Sequence, residues 1–273
     1  TTTQAYLNIT ATTKYRAVIN SGGCSQANSA EATITVEPVT VGGSVTADAT
    51  VCSGANGATL TVAGHTGSVV RWEWSDDNWT TTNVIANTTT TQAYLNLTTT
   101  TKYRAVINSG GCSDANSAEA TITVDPATIG GTVTADATVC SGANGATLTV
   151  AGHTGSVVRW EWSDDNWTTT NVIANTTTTQ AYLNLTATTK YRAVIQSGAC
   201  AATNSAEATI TVTSSGGGSV TADATVCTGA NGATLTVAGH TGSVVRWEWS
   251  DDNWTTTNVI ANTTTTQAYL NIT

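Results

Sequence analysis

The stretch Val69-Val70-Arg71-Trp72-Glu73-Trp74 recurs at residues 157–162 and 244–249. Strict alternation predicts a β-strand with one face made of Val70, Trp72 and Trp74. Arg71 and Glu73 then fall on the opposite face. Two tryptophans on one face carry a large apolar area, which is typical of the central strand of a two-layered β core. We therefore expect a buried central strand in each copy.

The recurrence belongs to a longer repeat. Gln-Ala-Tyr-Leu-Asn starts at Gln4, Gln92, Gln180 and Gln267, at intervals of 88, 88 and 87 residues. This period is longer than that of a solenoid repeat and close to the size of a small β-sandwich. Short alternating stretches separated by Gly- and Asn-rich turns, with no helical periodicity, predict an all-β chain of tandem immunoglobulin-like β-sandwich modules, arranged as beads on a string. The expected modules are 1–36 (C-terminal part), 37–124 and 125–212 (both complete) and 213–273 (N-terminal part).

Composition argues against two classes of partner. The formal net charge is −9, from 9 basic and 18 acidic groups, and the basic residues are scattered singly. Nucleic acids and anionic lipids require a basic stripe, so we expect neither as a partner. No apolar stretch approaches the roughly 20 residues of a membrane span, so we expect no membrane insertion of these residues.

The cysteines recur in phase with the repeat. Cys52 and Cys112 lie 60 residues apart. Cys140 and Cys200 have the same spacing. We predict one disulfide within each complete module, because two cysteines per module without a CxxC pair fit an oxidising, extracellular setting better than a zinc site.

Cys24 and Cys227 complete the set. Residues 1–10 and 264–273 are the same decapeptide. We expect the chain to continue beyond both ends, so that Cys24 and Cys227 are each half of an interrupted bridge. In a repeating assembly, residues 213–273 should be completed by residues like 1–36 of a neighbouring copy, which would bring Cys227 to Cys24. Neighbouring copies of the chain are therefore the expected partner, in head-to-tail order.

One local motif resembles a known signature. Tyr94-x-x-Leu97-x-x-x-Thr101-x-Tyr103 resembles the segment from strand E to strand F of fibronectin type III and related immunoglobulin-like domains. The resemblance implies that Leu97 closes one end of the core and that the Tyr103 hydroxyl bonds the preceding loop backbone. Tyr15 and Tyr191 would repeat this tyrosine corner. The Pro-Gly that the family has at the bend is Thr99-Thr100 here.

The repeat as a whole has a second resemblance. Val-Cys-Ser-Gly-x-Asn-Gly, Val-Val-Arg-Trp-Glu-Trp-Ser and Lys-Tyr-Arg-Ala-Val-Ile-x-Ser-Gly-x-Cys are similar to the immunoglobulin-like modules of very large Bacteroidota surface adhesins, including gliding-motility adhesins. This resemblance implies export by the type IX route, extracellular or cell-surface display, and a role in adhesion or filament building.

Candidate catalytic and metal-binding residues are few. His65, Ser75 and Asp76 could form a triad, but no nucleophile elbow or oxyanion-hole motif accompanies them, so we expect no enzyme and no cofactor. Asp76-Asp77-Asn78 offers calcium-type oxygen donors without an EF-hand spacing, so a solvated turn is favoured and no metal is predicted. Lys102 could form an isopeptide bond, but alternation places it on the solvent face.

Tryptophans on a polar loop are the residues most open to a binding role. They are Trp79, Trp167 and Trp254. Each could stack on sugar rings or could pack under its loop or at a module junction. We predict an extracellular structural or adhesive protein that forms a rod or filament of disulfide-linked modules. The alternative is an array of carbohydrate-binding modules that recognise a surface polysaccharide through these tryptophans.

Overall fold

The computed structural model describes residues 2–46, 48–134, 136–221 and 223–271. Within these ranges every regular element is a β-strand. The chain divides into two compact units. One consists of residues 1–129, 153–156 and 195–203, and the other of residues 130–152, 157–194 and 204–273.

The strands of the first unit begin with two short antiparallel pairs. These are β1 (Thr13–Tyr15) with β4 (Ala32–Ile34), and β2 (Val18–Ile19) with β3 (Ala27–Asn28). Nine strands follow: β5 (Ser44–Val45), β6 (Ala49–Cys52), β7 (Gly57–Ala63), β8 (Ser68–Ser75), β9 (Asn83–Ile85), β10 (Thr91–Leu95), β11 (Thr101–Asn108), β12 (Ala115–Asn116) and β13 (Ala120–Asp125).

These nine strands form two layers. One sheet has the order β10-β7-β5, and the other has the order β6-β13-β11-β8-β9 with β12 paired to β11. Apolar side chains from both sheets meet in one core, which includes Leu60, Val62 and Tyr94 from the first sheet and Trp72 and Ile122 from the second. The predicted all-β, immunoglobulin-like sandwich is therefore confirmed, and Trp72 is fully buried at its centre.

A β-bulge changes one detail of the central strand. In the pairing of β8 with β11, Val106 faces Arg71 but Ile107 faces Val69, so one residue of β8 is left over. A bulge of this kind shifts the alternation by one position. Val69 is therefore buried and Val70 is 38% exposed. The prediction that Val70 shares the inner face with Trp72 is wrong for this reason.

Threonine side chains hold the bend before β11. Thr101 Oγ1 donates a hydrogen bond to the carbonyl of Thr99 (2.9 Å), and Thr100 Oγ1 accepts one from the amide of Val124 (3.1 Å). Leu97 packs against the core. The Tyr103 ring is buried beside Tyr94, with 6.3 Å between ring centroids. Its hydroxyl makes no hydrogen bond to the described residues, so the tyrosine corner implied by the resemblance is not formed.

Residues 130–213 repeat this topology. The strands are β14 (Thr132–Val133), β15 (Ala137–Cys140), β16 (Gly145–Ala151), β17 (Ser156–Ser163), β18 (Asn171–Ile173), β19 (Thr179–Leu183), β20 (Thr189–Gln196), β21 (Thr203–Asn204) and β22 (Ala208–Thr213). The two sheets have the orders β14-β16-β19 and β15-β22-β20-β17-β18, with β21 paired to β20.

Five strands are described in residues 219–270. The strands are β23 (Ser219–Val220), β24 (Gly232–Ala238), β25 (Trp247–Trp249), β26 (Asn258–Ile260) and β27 (Thr266–Leu270). They form one sheet of the order β23-β24-β27 and a separate pair, β25 with β26.

Candidate functional site: the cysteine junction and the tryptophan face

A disulfide joins cysteines of two successive repeats. Cys52 is the last residue of β6, which runs parallel to β13 and places Cys52 beside Asp125. Cys200 lies in the turn after β20, and its Sγ is 3.3 Å from the carbonyl oxygen of Pro126. Cys52 and Cys200 are bonded, with Cα atoms 4.7 Å apart and a sequence separation of 148. The predicted pairs Cys52–Cys112 and Cys140–Cys200 are therefore wrong.

The geometry of the sandwich explains why Cys52 cannot reach Cys112. Cys52 ends its strand beside the last residue of β13. β11 runs antiparallel to β13, so its C-terminal end, which leads to Cys112, lies at the other end of the sheet. The eight residues of β11 span ~23 Å at the usual rise of a strand. A disulfide requires Cα atoms within roughly 7 Å. Equal spacing in sequence did not reveal that the two cysteines occupy opposite ends.

Asp125 organises the surroundings of this disulfide. Its carboxylate accepts a hydrogen bond from the amide of Ala199 (2.8 Å), and its carbonyl accepts one from the amide of Ser53 (2.9 Å). Gly198 has φ +45°, and a Cβ there would lie 2.0 Å from the Asp125 carboxylate. The turn therefore needs glycine at this position. Asp125 thus holds the two loops that carry the bonded cysteines, a role that sequence reasoning missed.

The other four cysteines carry free thiols. Cys24, Cys140 and Cys227 are exposed and Cys112 is partly buried. The predicted pairing of Cys227 with Cys24 of a neighbouring copy assumed that the two cysteines of one module bond each other. The Cys52–Cys200 bond does not follow that assumption.

The loop after β8 is locked in an unusual conformation. Asn78 and Trp79 both have positive φ, 56° and 67°. The buried Oγ of Ser75 donates to Asp77 Oδ1 (2.7 Å) and accepts the amide of Trp79 (2.8 Å). A bulky residue such as tryptophan keeps a positive φ only where the surrounding structure holds it there. Ser75 therefore fixes where the Trp79 ring lies.

The Trp79 ring packs against charged groups of its own sheet. The guanidinium of Arg104 lies over the ring, 4.0 Å from its centroid, and the indole N–H donates to Glu119. Trp167 repeats the arrangement, with Arg192 at 3.9 Å and Glu207 as acceptor. Trp254 is 61% exposed. The three predicted tryptophans therefore lie in equivalent loops of successive repeats, but a guanidinium covers only the rings of Trp79 and Trp167, and Trp254 is mostly exposed.

A buried carboxylate lies beneath this face. Glu73 is only 4% exposed and accepts hydrogen bonds from the Nε atoms of Arg71 (2.7 Å) and Arg104 (2.8 Å). Burial raises the pKa of Glu73, but the two arginine hydrogen bonds outweigh burial and hold the pKa below its usual 4.5. Glu161 repeats the motif. Alternation predicted the face of Glu73 correctly, but the cross-strand position of Arg104, which covers it, is known only from the structure.

Lys102 lies beside the carboxylate that binds the Trp79 indole. Its amine is 2.7 Å from Glu119 and 2.8 Å from the side-chain oxygen of Asn78. The hydrogen bond from Lys102 is the largest effect that lowers the pKa of Glu119, and the bond from Trp79 adds to it.

The candidate triad is not assembled. His65 lies just before β8 and Ser75 at its end, so a whole strand separates them. His65 Nδ1 contacts the carbonyl of Gly67 at 3.1 Å. Asp77 Oδ1 accepts hydrogen bonds from Ser75 and from the amide of Thr81 (2.9 Å). The bond from Thr81 is the largest of the contacts that lower the pKa of Asp77.

The described ranges hold neither a metal-binding cluster nor a membrane-spanning helix. No group of three or more His, Cys, Asp or Glu residues there is placed to hold a metal ion. No helix in that part of the chain has the length and apolarity needed to cross a bilayer.

Comparison with known proteins adds a family and a set of distant structures. The family model described as "Domain of unknown function (DUF8696)" matches residues 1–38, 41–126, 129–214 and 216–273. No curated protein matches the chain.

Three solved structures illustrate the distant likeness. An I-band fragment of titin is 12% identical with a TM-score of 0.48, covering 88% of this chain and 90% of that one. The outer capsid protein Hoc of bacteriophage RB49 is 16% identical with a TM-score of 0.38, covering 86% and 87%. Fibronectin(III)-like modules of Clostridium thermocellum CbhA are 15% identical with a TM-score of 0.29, covering 62% and 94%. The fold assignment rests on the sheet order given above.

Proposed function

We propose that this chain, which belongs to the family described as "Domain of unknown function (DUF8696)", is an extracellular structural or adhesive protein that forms a rod or filament of immunoglobulin-like modules. The observation that carries the proposal is the disulfide between Cys52 and Cys200, because it links one repeat covalently to the next instead of closing a single module.

Such a bond suits a chain that carries load. When force is applied to the two ends, the residues between Cys52 and Cys200 lie inside a covalent loop and cannot extend. Because the two cysteines are separated by 148 positions in sequence, the bond withholds ~50 nm of extended chain at the usual length per residue. Unfolding of a module inside the loop would therefore not lengthen the filament.

The same bond supports the proposed extracellular location, since disulfides persist in oxidising compartments. The resemblance of the repeat to modules of Bacteroidota surface adhesins supports the same location and an adhesive role. Neighbouring copies of the chain are the proposed partners.

Electron microscopy of material from the producing cells tests this function. We expect elongated or fibrous particles, and protease treatment of intact cells should remove the protein. Isolated globular particles, or protection of the protein until the cells are lysed, would contradict the proposal.

Stretching single molecules tests the mechanical role. Reduction should lengthen the fully extended chain by ~50 nm, because the loop is released. The variant Cys112→Ser is the matched control and should leave the length under oxidising conditions unchanged, since Cys112 is unbonded. An equal length before and after reduction would contradict the role of the loop.

The packing of Trp79 and Trp167 favours a structural role for these rings over sugar binding. A guanidinium covers one face of each ring, and a carboxylate takes each indole N–H. Titration of tryptophan fluorescence with polysaccharides checks this. We expect no change at millimolar sugar, and a saturable change that is lost in Trp79→Ala would favour the array of carbohydrate-binding modules.

A further inference from the structure

Three polar side chains from neighbouring strands meet at one end of the sheet that contains β11. Lys102 belongs to β11, which pairs with both β8 and β13. Glu119 lies directly before β13, and Asn78 lies in the loop that follows β8. Lys102 donates hydrogen bonds to both of them. This group, the Lys102 cluster, therefore brings an amine, a carboxamide and a carboxylate together.

The amine of Lys102 lies close to the carboxamide carbon of Asn78. Its Nζ is 2.8 Å from Asn78 Oδ1 and 2.7 Å from Glu119 Oε1. Since a carbonyl bond is ~1.2 Å long, the Cγ atom of Asn78 lies at most ~4 Å from the amine. Atoms that are about to react lie roughly 3–3.5 Å apart. A shift of about 1 Å therefore brings the amine to the distance of attack.

The loop after β8 shields part of the cluster from solvent. The side chains of Lys102 and Glu119 are 26% and 38% exposed. The corresponding pair Lys14–Glu31 has a similar separation, 2.6 Å, but its side chains are 62% and 54% exposed. Strand alternation predicted an outward-facing Lys102, but it did not reveal that a loop lies over this part of the sheet. The amine and the carboxamide are thus partly protected from water.

Trp79 holds the carboxylate in place. Its indole N–H donates to Oε2 of Glu119, which leaves Oε1 for Lys102. Asn78 has φ 56°, in the loop that Ser75 Oγ fixes by accepting the amide of Trp79. Groups that are fixed before a reaction lose little freedom when they react. The nucleophile, the carbonyl group and a proton acceptor are therefore already positioned.

We propose that Lys102 and Asn78 form an isopeptide bond, with Glu119 as the proton carrier. The bond joins Nζ of Lys102 to Cγ of Asn78 and releases ammonia. It ties β11 covalently to the loop after β8, in the same module that carries Cys52. The reaction depends on the geometry of this one module and not on the proposed filament.

The reaction needs no oxidant and no second reactant. Glu119 takes a proton from the Lys102 ammonium, and the neutral amine attacks Cγ of Asn78. Glu119 returns this proton to the side-chain nitrogen of Asn78, so that the bond from Cγ to this nitrogen breaks and ammonia leaves. The attacking nitrogen then loses its surplus proton, which converts the ammonia into ammonium. One ammonium and one carboxamide thus become one amide and one ammonium ion.

The next module has the same three residue types but lacks one contact. Lys190 is 2.7 Å from Glu207, and Asn166 has φ 57°. Among the described residues, the Lys190 amine donates to Glu207 alone and does not bond Asn166. Lys190 is therefore the matched control for Lys102.

Mass spectrometry of the full chain tests the cross-link. After reduction and denaturation, we expect a mass lower than that of the sequence by one ammonia. Trypsin should fail to cut after Lys102 and should release residues 72–104 as one peptide that lacks one ammonia. The full sequence mass would overturn the proposal. Loss of ammonia from Asn78 with normal cleavage after Lys102 would also overturn it, because a succinimide at Asn78 gives that result.

Variants test the role of each residue. Lys102→Arg keeps the charge but cannot attack, and Glu119→Gln keeps the shape but cannot carry the proton, so both should have the full sequence mass. Circular dichroism and the Cys52–Cys200 peptide check that both variants fold. Lys190→Arg should leave the peptide of residues 72–104 as it is in the parent chain. Equal cross-linking in Glu119→Gln, or loss of the cross-link in Lys190→Arg, would contradict the assigned roles.

Discussion

The octapeptide Ser-Val-Val-Arg-Trp-Glu-Trp-Ser occurs at residues 68–75 and again at 243–250, with different structures. In the first place all eight residues form β8. In the second place only Trp247–Trp249 form a strand, β25. Val70 is 38% exposed, whereas Val245, at the same position of the octapeptide, is 76% exposed.

The difference lies in the neighbours. β8 pairs on one side with β11 and on the other with β9. Among the described residues, β25 pairs with β26 alone. The same octapeptide therefore forms a long strand where it pairs with two neighbouring strands, and a short strand where it pairs with one. Strand length here reports cross-strand pairing more than local propensity.

The largest expected effect is loss of the central tryptophan. Trp72→Ala should lower the free energy of unfolding of its sandwich by ~3–5 kcal/mol, because the ring is fully buried and leaves a cavity. Trp247→Ala is the matched control and should cost less than half as much, since fewer strands surround it. Denaturant unfolding followed by circular dichroism measures both, and equal losses would show that β25 is packed as β8 is.

Removing the disulfide comes next. Cys52→Ser with Cys200→Ser should lower the stability of the unit by ~2–4 kcal/mol, because the unfolded chain regains the freedom of a long loop. Cys140→Ser with Cys227→Ser is the control and should change nothing in the isolated chain, because neither thiol is bonded. Calorimetry of the two double variants compares their losses of stability. Similar shifts would mean that Cys52 and Cys200 do not constrain the solution state.

The buried carboxylate should have a smaller effect that depends on pH. The folded state holds the pKa of Glu73 below its usual 4.5, so its contribution to stability is present above that value and is lost as pH falls through the lower pKa of the folded state. Glu73→Gln should cost ~1–3 kcal/mol at neutral pH. It should also flatten the loss of stability in acid.

Glu248→Gln is the matched change in the last residues. Among the described residues Glu248 pairs only with Arg246, and its side chain is 34% exposed, so the cost should stay below ~1 kcal/mol. Urea midpoints measured as a function of pH compare the two variants. A pH dependence that survives in Glu73→Gln would assign the acid sensitivity to other groups.

The smallest effect concerns the loop tryptophans. Trp79→Ala should cost ~0.5–1 kcal/mol, because it removes the contact with Arg104. Trp254→Ala should have no measurable effect on the isolated chain, since its ring is mostly exposed. Thermal unfolding compares the pair, and a clear loss from Trp254→Ala would reveal packing that its exposure does not indicate.

The candidate site was partly predictable. Recurrence of Trp79, Trp167 and Trp254 marked a special loop, but the charged residues that contact two of the rings lie far away in sequence. Glu73 was placed on the correct face, yet its burial depends on Arg104 in another strand. Pairs of residues across strands are set by register, which a single alternating stretch does not contain.

By itself the sequence determined the repeat, the all-β class and the buried position of Trp72, because period and alternation are local properties. Only the tertiary structure decided the partner of Cys52. Parallel pairing of β6 with β13 carries Cys52 to the end of its module, where the next repeat begins, and β11 carries Cys112 to the opposite end. A disulfide forms between cysteines whose Cα atoms are close in space, and the number of residues between two cysteines does not give that distance.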